Sequence, residues 1–310
     1  MRILVTGGAG YIGSVLVPIM LHQGHSVTVI DNFMYGQTSL LDCCYSEEFQ
    51  LVRGDVRDQK LLLEKLVKAD AILPLACLTG APLCDRDQIG ARQINYDSVR
   101  FMAEHKSKDQ LLIFPCTNSG YGVGQDGIFC DENTPMRPIS LYGKLKVELD
   151  KYLLDRGDSI TFRFATVFGV SPRMRLDLLV NDFTYRAVVD STVVLFEAHF
   201  KRNYLHVRDA AQAFSHALEN YQDMVGEPYN VGLSEANLSK KELCEVIQVQ
   251  VPEFRYVISE IGKDPDQRNY IVSNDKIEST GFNTHVGLDD GIKELVKGFQ
   301  IVRRNQYANV

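Results

Sequence analysis

A glycine-rich turn follows the first apolar run of the chain and constrains the fold more than any other feature. The run at 3–5 leads into Thr-Gly-Gly-Ala-Gly-Tyr-Ile-Gly at 6–13. Gly7, Gly10 and Gly13 permit a tight turn, close approach of the backbone to a pyrophosphate, and close packing of a helix on a strand. The free N–H groups and the positive end of the helix dipole attract phosphates. The pattern could also be only a turn, but its place between a strand and a helix predicts a dinucleotide-binding unit.

The first half of the chain alternates short apolar runs with helical patterns. Further apolar runs lie at 26–30, 51–52, 71–73, 111–114 and 160–163. Helical patterns lie near 11–24, 58–67, 86–105 and 141–155. Continuous apolar strands separated by helices are typical of a parallel sheet that is covered on both faces. Because such crossovers are right-handed, the sequence predicts a doubly wound α/β domain.

After about residue 165 the regular alternation ends. The segment 170–203 is rich in Arg, Asp and Asn between apolar positions, which predicts a smaller lobe, and 204–216 predicts a return to the main sheet. Two more helical patterns lie near 239–249 and 287–303. We therefore expect a dinucleotide-binding domain at 1–165 and a substrate-binding lobe at 166–310 within one compact unit.

Composition argues against several classes of protein. The 310 residues carry a formal charge of −7 without a long basic stretch, so nucleic acid is not an expected partner. No apolar run reaches the roughly 20 residues of a membrane helix, and the N-terminus lacks the pattern of a signal peptide. Seven cysteines without a CxxC pair argue against a disulfide framework and a zinc site. We expect a soluble cytoplasmic protein without a bound metal.

An acidic residue after the second strand bears on the choice of cofactor. Asp31 follows that strand 18 residues after Gly13. A carboxylate there can accept hydrogen bonds from both ribose hydroxyls and would repel a 2′-phosphate, which favours NAD over NADP. Asp31 and Asn32 could instead be a polar strand cap. Asp55, in Gly-Asp-Val after the third strand, could reach the adenine amine or could belong to a turn.

Tyr142 and Lys146 stand four residues apart, which places a phenol and an ammonium on one face of a helix. A free tyrosine is protonated at neutral pH, and a cation within about 4–6 Å lowers its pKa. Tyr142 could then remove the proton of a sugar hydroxyl while hydride leaves its carbon. Thr117 follows the fifth strand and could orient that hydroxyl. The same Tyr-Lys spacing also occurs on exposed helices, and 117–120 could be a polar turn.

Taken together, these motifs resemble the extended short-chain dehydrogenase/reductase family that acts on nucleotide sugars. The resemblance rests on 7–13, Asp31, 54–55, 117–122, Tyr142 with Lys146, and Arg-Asn-Tyr-Leu-His-Val-Arg-Asp at 202–209. It runs over nearly the whole chain. It implies a Rossmann-type domain with tightly bound NAD, a smaller C-terminal lobe for a nucleoside-diphosphate sugar, and a homodimer formed through the helices near 86–105 and 141–155.

The resemblance also assigns roles residue by residue. Cofactor-binding positions would be Gly7, Gly10, Tyr11, Ile12, Gly13, Asp31, Asn32, Asp55, Val56, Leu75, Ala76, Cys77, Asn95, Tyr142 and Lys146. Substrate-binding positions would be Thr117, Asn118, Ser119, Thr166, Arg173, Arg175, Asn181, Arg202 and Arg268. Catalysis would fall to Thr117, Tyr142 and Lys146. Arg202 and Arg268 would clamp a diphosphate, because guanidinium groups bind phosphate in two-point contacts. Each of these arginines could also form a surface ion pair.

Departures from the family pattern narrow the chemistry. Nucleotide-sugar 4,6-dehydratases of this family carry Asp-Glu directly after the threonine, whereas this chain has Asn118 and Ser119, which disfavours dehydration. The segments 117–122, 171–182 and 264–274 are similar to the GDP-heptose 4-dehydrogenases of bacterial capsule pathways. We therefore expect oxidation at C4 of a GDP-manno-heptose. The alternatives are a UDP-glucose 4-epimerase-like enzyme, a 4-keto-reductase, which Asp31 disfavours, and a non-catalytic dinucleotide-binding protein.

Overall fold

The structure is a computed structural model that describes residues 1–262 and 267–302. Its strands are β1 (Arg2–Thr6), β2 (Ser26–Asp31), β3 (Phe49–Arg53), β4 (Ala71–Pro74), β5 (Leu111–Thr117), β6 (Phe129–Cys130), β7 (Ile160–Phe164), β8 (Thr166–Phe168), β9 (Thr192–Leu195), β10 (Lys201–His206), β11 (Pro228–Val231), β12 (Asn237–Ser239), β13 (Arg255–Ile258) and β14 (Ile271–Val272). Its α-helices are α1 (Gly13–His22), α2 (Gln59–Leu66), α3 (Ala81–Arg86), α4 (Gln88–Arg92), α5 (Ser98–His105), α6 (Leu141–Arg156), α7 (Leu179–Val189), α8 (Val207–Glu219), α9 (Tyr221–Met224), α10 (Lys240–Gln250), α11 (Asp275–Glu278) and α12 (Leu288–Gly298).

Seven of these strands form one parallel sheet in the order β3-β2-β1-β4-β5-β7-β11. In its centre Ile3 of β1 pairs with Val27 of β2 on one side and with Ala71 of β4 on the other. The strand order reverses at β1, and the crevice outside the carboxyl ends of β1 and β4 is where such folds bind ligands. The predicted Rossmann-type doubly wound sheet is confirmed.

Helices cover both faces of this sheet, as its apolar strands require. On one face α1 and α8 pack through residues such as Met20 and Phe214 against the sheet residue Phe162. On the other face α2, α5 and α6 pack through residues such as Met102 and Leu149. A π-helical turn at Gln93–Asp97 joins α4 to α5, so the helix predicted near 86–105 is continuous from residue 88.

Within the described residues, the C-terminal part of the chain and β6 form three small sheets, and the C-terminal part contains a second core. The small sheets have the orders β12-β10-β8, β13-β9 and β14-β6. The helices α7, α10 and α12 bury residues such as Val180, Leu243 and Ile292 in a second apolar cluster. The division of the chain into domains at 165 and 166 remains a prediction.

The return of 204–216 to the large sheet is made by a helix and not by a strand. Residues 204–206 belong to β10, which pairs with β8 and β12 rather than with the large sheet. The chain returns to the large sheet through α8, which packs on its face, and through β11, which pairs with β7 at its edge. A buried apolar strand shows that it needs neighbours on both sides, but it does not show which sheet supplies them.

Candidate functional site

The glycine turn and the loop after β4 meet backbone to backbone at the reversal of strand order. Gly7 has φ +70°, and a Cβ on it would lie 2.5 Å from the Ala76 amide nitrogen. A Cβ on Gly13 would lie 2.6 Å from the Cα of Gly8. The Leu75 N–H donates to the Thr6 carbonyl at 2.9 Å and extends the contact. Glycine is therefore required at 7 for conformation and approach, and at 13 for packing inside the turn.

The same turn exposes hydrogen-bond donors. Among residues 1–262 and 267–302, no protein group accepts a hydrogen bond from the N–H groups of Tyr11 and Ile12. These groups lie directly before α1, where the helix dipole adds positive potential. The turn thus offers unpaired donors and a cradle that a side chain would fill. Both features fit the pyrophosphate of a dinucleotide.

Asp31 ends β2 beside this turn and is 8% exposed. One carboxylate oxygen accepts the N–H of Ala9 at 3.0 Å, and the other accepts the N–H of Phe33 at 2.8 Å. Burial raises the pKa of Asp31, and these hydrogen bonds oppose the shift. The oxygen bonded to Phe33 also accepts from the Gln37 amide at 3.4 Å. The side chain is therefore fixed at the strand end, where the oxygen bonded to Ala9 keeps a lone pair for a ribose hydroxyl.

Asp55 follows β3 and lies near Asn32, whose amide donates to it at 3.3 Å. Two guanidinium nitrogens of Arg57 each lie 2.8 Å from the Asp55 carboxylate and, with the backbone N–H of Arg57, lower its pKa to about 2. Val56 beside it is buried. The predicted contact of Asp55 with adenine remains a prediction, and the carboxylate already has a partner in Arg57.

Asn95 fixes the loop after β4 through hydrogen bonds to Leu78. This buried amide accepts the N–H of Leu78 at 2.8 Å and donates to the carbonyl of the same residue at 2.9 Å. Both polar atoms of Asn95 are thus used in fixing the loop that contains Cys77. The geometry favours a positioning role for Asn95, through Leu75, Ala76 and Cys77, over direct contact with the cofactor.

The catalytic candidates come together at the end of β5 and the start of α6. Ser140 caps α6 by accepting the Gly143 N–H at 3.2 Å, which places Tyr142 in the first turn. Lys146, buried one turn later, donates from Nζ to the Pro115 carbonyl at 2.8 Å. Thr117, two residues after that carbonyl, shares a 3.0 Å hydrogen bond with the Ser119 hydroxyl. The lysine therefore ties the helix that carries Tyr142 to the strand that carries Thr117.

The pKa of Tyr142 is raised in the structure, whereas the sequence analysis expects a nearby cation to lower it. Burial raises the pKa of Tyr142, and the positive charge of Arg175 opposes that shift. Lys146 was expected to lower this pKa, but its ammonium group bonds to a backbone carbonyl and lies 4.5 Å from the centre of the Phe114 ring. In this structure the phenol is protonated at neutral pH, and further positive charge at the site is needed to favour the phenolate.

The substrate candidates separate into two groups. Arg268 donates to the Ser119 hydroxyl, which bonds to Thr117. Arg202 lies 5.6 Å from the centre of the Tyr270 ring, and that ring packs edge-on against Tyr121 of the segment after Thr117. Asn118 is fully buried, and neither atom of its amide has a partner among the residues that the structure describes. Thr166 begins β8. Residues 264–266 of the similarity to heptose dehydrogenases lie outside the described residues.

The second group, Arg173, Arg175 and Asn181, lies beside the cofactor candidates. Asn181 is fully buried and donates to the Tyr11 hydroxyl at 3.2 Å and to the Arg175 carbonyl at 2.8 Å. The Arg173 guanidinium lies 4.2 Å from the centre of the Tyr35 ring, a residue that the sequence analysis missed. No sequence signal marks Tyr35, because its neighbour is distant in the chain.

The described residues contain no helix that is long and apolar enough to cross a bilayer. Within the same residues no three His, Cys, Asp or Glu side chains cluster as metal ligands would.

The sheet, the glycine turn at its reversal point and the acidic end of β2 define an enzyme of the NAD-binding Rossmann class. Residues 3–232 match the model of the NAD dependent epimerase/dehydratase family. The chain belongs to this family, the extended short-chain dehydrogenases/reductases, and its cofactor is NAD.

Individual relatives are similar over most of their length. A dTDP-glucose 4,6-dehydratase of Streptomyces niveus is 28% identical over 97% of this chain and 93% of its own. A UDP-glucose 4-epimerase of Corynebacterium glutamicum is 26% identical over 80% of each chain. The crystal structure of the Thermus thermophilus UDP-glucose 4-epimerase in complex with NAD has a TM-score of 0.83 and 24% identity, and the match covers 98% of this chain and all of that one.

Proposed function

We propose that this enzyme oxidises C4 of a nucleoside-diphosphate sugar. Tyr142 removes the proton from the C4 hydroxyl, and Thr117 holds that hydroxyl by a hydrogen bond. Lys146 ties the helix that carries Tyr142 to the strand that carries Thr117. The further positive charge that favours the phenolate would come from oxidised nicotinamide. NAD, which the glycine turn and Asp31 would hold, would supply the hydride acceptor for C4. The protonated Tyr142 then keeps the proton that the sugar has lost. Arg202 and Arg268 bind the diphosphate, since each lies on the side of the site near Thr117.

The residues after Thr117 carry this proposal. Elimination across C5 and C6 needs a carboxylic acid and a base beside the sugar, and Asn118 and Ser119 supply neither at that place. The Ser119 hydroxyl is engaged with Thr117 and Arg268. An amide and a hydroxyl can orient a sugar but cannot act as an acid–base pair near neutral pH. Redox chemistry at C4 is therefore the reaction that the site supports, as distinct from dehydration.

Two outcomes of C4 oxidation are supported by different observations. Return of the hydride to the other face of the keto sugar makes the enzyme a 4-epimerase, and similarity to the Corynebacterium glutamicum UDP-glucose 4-epimerase supports that reaction. Release of the 4-keto sugar makes it a 4-dehydrogenase, with GDP-manno-heptose as the substrate. The segments 117–122 and 171–182 support this second candidate, because they resemble GDP-heptose 4-dehydrogenases.

The experiment that separates them follows nicotinamide absorbance after one sugar nucleotide is added to the purified enzyme without an external oxidant. GDP-manno-heptose and UDP-glucose are tested in parallel. A stable rise to about one reduced nicotinamide per subunit identifies a dehydrogenase. A new sugar diastereomer without a lasting rise identifies an epimerase. A dehydrated product would contradict the proposal, because it would show that elimination of water occurs with Asn118 and Ser119 in place of an acid–base pair.

Tyr142→Phe tests the base in the same assay. We expect the variant to retain NAD and to lose about 10²–10⁴-fold in the rate of reduction, the usual contribution of a general base. Tyr152→Phe is the matched control, because Tyr152 lies on the same helix and its hydroxyl bonds to Glu104 on the surface. Full turnover by Tyr142→Phe would remove this tyrosine from the mechanism.

A further inference from the structure

A chain of hydrogen bonds joins Arg268, which precedes β14, to Thr117 at the end of β5. The Arg268 guanidinium donates from Nη1 to the Ser119 hydroxyl. The Thr117 hydroxyl donates to the same Ser119 oxygen at 3.0 Å. Ser119 is buried, which strengthens the electrostatic part of both bonds. Ser119 therefore connects a positive charge to the hydroxyl that is assigned to the sugar.

The Thr117 hydroxyl has a second contact with the same residue. Its Oγ1 accepts the backbone N–H of Ser119 at 3.1 Å. A hydroxyl has one proton and two lone pairs, so this arrangement leaves Thr117 a single lone pair for a sugar. The C4 hydroxyl must give its only proton to Tyr142 and cannot also donate to that lone pair. Thr117 must therefore donate to the C4 oxygen, which requires its proton to turn away from Ser119.

Ser119 can supply the reversed hydrogen bond. Both bonds to its hydroxyl oxygen are donated by neighbours, and among residues 1–262 and 267–302 no group accepts its proton. Hydroxyl protons rotate to suit their partners, so Ser119 can donate to Thr117 instead. The N–H and the hydroxyl of Ser119 then occupy both lone pairs of Thr117. The Thr117 proton is left for the sugar, and each donor and acceptor of the two hydroxyls is used.

Arg268 gives the reversed chain its direction. A guanidinium has only N–H donors, so it can occupy a lone pair of Ser119 but cannot accept the Ser119 proton. Consecutive hydrogen bonds polarise one another, and a charged first donor strengthens the next bond. The donors then run from Arg268 through Ser119 and Thr117 to the C4 oxygen. Negative charge develops on that oxygen as its proton leaves, and donors aimed at such charge lower the barrier.

We propose that Ser119 is a positioning residue, which turns the Thr117 proton toward the C4 hydroxyl and transmits the charge of Arg268 to it. The inference rests on the proposed oxidation at C4 and adds a residue to it. A guanidinium has five N–H groups, so Arg268 can bond to Ser119 and to a phosphate oxygen together. Binding of the diphosphate is thereby coupled to the orientation of the reacting hydroxyl.

The test measures kcat and KM of the full-length enzyme for the sugar nucleotide that the wild type uses. Ser119→Ala removes the hydroxyl and keeps the N–H that bonds to Thr117. We expect its kcat to fall about 10–100-fold, the effect of losing one hydrogen bond to a charged group. Its KM should stay within about threefold of wild type, because the lost interaction acts in the transition state. Ser119→Thr keeps a hydroxyl and should recover most of the lost kcat.

Ser279→Ala is the matched control, because Ser279 is an exposed serine whose hydroxyl donates to the Lys276 carbonyl at 2.6 Å. We expect it to keep the wild-type kcat. A kcat of Ser119→Ala within about twofold of wild type would overturn the positioning role. A Ser119→Thr variant as slow as Ser119→Ala would overturn it as well, because the loss would then come from altered packing.

Arg268→Met shows whether Ser119 acts through the arginine. If it does, the double variant with Ser119→Ala is about as slow as the slower single variant, whereas losses that multiply contradict the chain. If Ser119→Ala does not fold, Arg268→Met decides alone, because a wild-type kcat at saturating sugar would exclude the chain. A wild type that oxidises no sugar nucleotide refutes the proposed function and this inference together. An active wild type with an unaffected Ser119→Ala refutes this inference alone.

Discussion

The buried ion pair between Arg163 of β7 and Asp150 of α6, the helix that carries Tyr142, offers a quantitative test of the structure. Arg163 Nη2 of β7 lies 2.9 Å from Asp150 Oδ2, and the two side chains are 7% and 2% exposed. Asp150 follows Lys146 by one turn of α6. We predict that Asp150→Ala destabilises the protein by about 3–5 kcal/mol, because it leaves a buried guanidinium without its carboxylate.

The corresponding change in melting temperature follows from the size of the chain. At about 2.1 cal/mol/K per residue, 310 residues give an unfolding entropy of about 0.65 kcal/mol/K. A loss of about 3–5 kcal/mol therefore lowers the melting temperature by about 5–8 °C. Replacing both partners by apolar residues, Asp150→Leu with Arg163→Met, removes the unpaired charge and should recover most of this loss. Recovery is incomplete, because Arg163 also donates to the Glu132 carbonyl at 2.8 Å.

Thermal unfolding followed by circular dichroism measures both variants. Asp70→Ala is the control, since its pair with Arg2 is exposed and should contribute less than about 1 kcal/mol. If the melting temperature of Asp150→Ala is no lower than that of Asp70→Ala, the buried pair does not stabilise the protein more than an exposed pair does. A double variant less stable than Asp150→Ala would also contradict the reasoning, because the unpaired charge would then not be the cause.

Three further predictions concern the cofactor groove and the response to pH. Gly7→Ala should weaken NAD binding at least about tenfold by calorimetry, because its Cβ would meet the backbone of the loop after β4. Gly24→Ala has a similar positive φ with open space around its Cβ, and it should leave NAD affinity unchanged. Asn95→Ala should cost about 1–3 kcal/mol in urea unfolding and weaken NAD binding, because it leaves the N–H of Leu78 unpaired and leaves its carbonyl with weak thiol donors such as Cys84. Burial lowers the pKa of His206 to about 4, so the unfolded chain takes up its proton first as pH falls from about 6.5. Stability is therefore lost between about pH 6.5 and 4, and His206→Gln should remove this part of the pH dependence of unfolding.

The sheet was predictable because its signals are local. Six of the seven strands of the large sheet contain a short apolar run, whereas β11, with the sequence Pro-Tyr-Asn-Val, does not. In the turn at 6–13, three glycines mark the positions where the backbone needs glycine. The pairing partners of β10 were not predictable in the same way. All residues of β10 after Lys201 are buried, yet nothing in an apolar run distinguishes the large sheet from a small one beside it.

The parts of the site that a sequence motif places directly were predictable from the sequence. Helical spacing places Tyr142 and Lys146 on one face, but it does not show that the Lys146 ammonium bonds to the Pro115 carbonyl. The stacking of Arg173 on Tyr35 joins residues far apart in the chain, and neither residue carries a local signal. The homodimer through the helices near 86–105 and 141–155 also remains a prediction.

The fate of the reduced cofactor separates the two candidate reactions. After hydride transfer the nicotinamide must be oxidised again before another sugar is oxidised. A 4-epimerase meets this requirement by returning the hydride to the keto sugar, without a further reactant. A 4-dehydrogenase releases the keto sugar and needs either a second oxidising substrate or exchange of the reduced cofactor for NAD. Added NAD should therefore sustain turnover of a dehydrogenase whose cofactor exchanges, whereas an epimerase should gain nothing from added NAD beyond refilling empty sites.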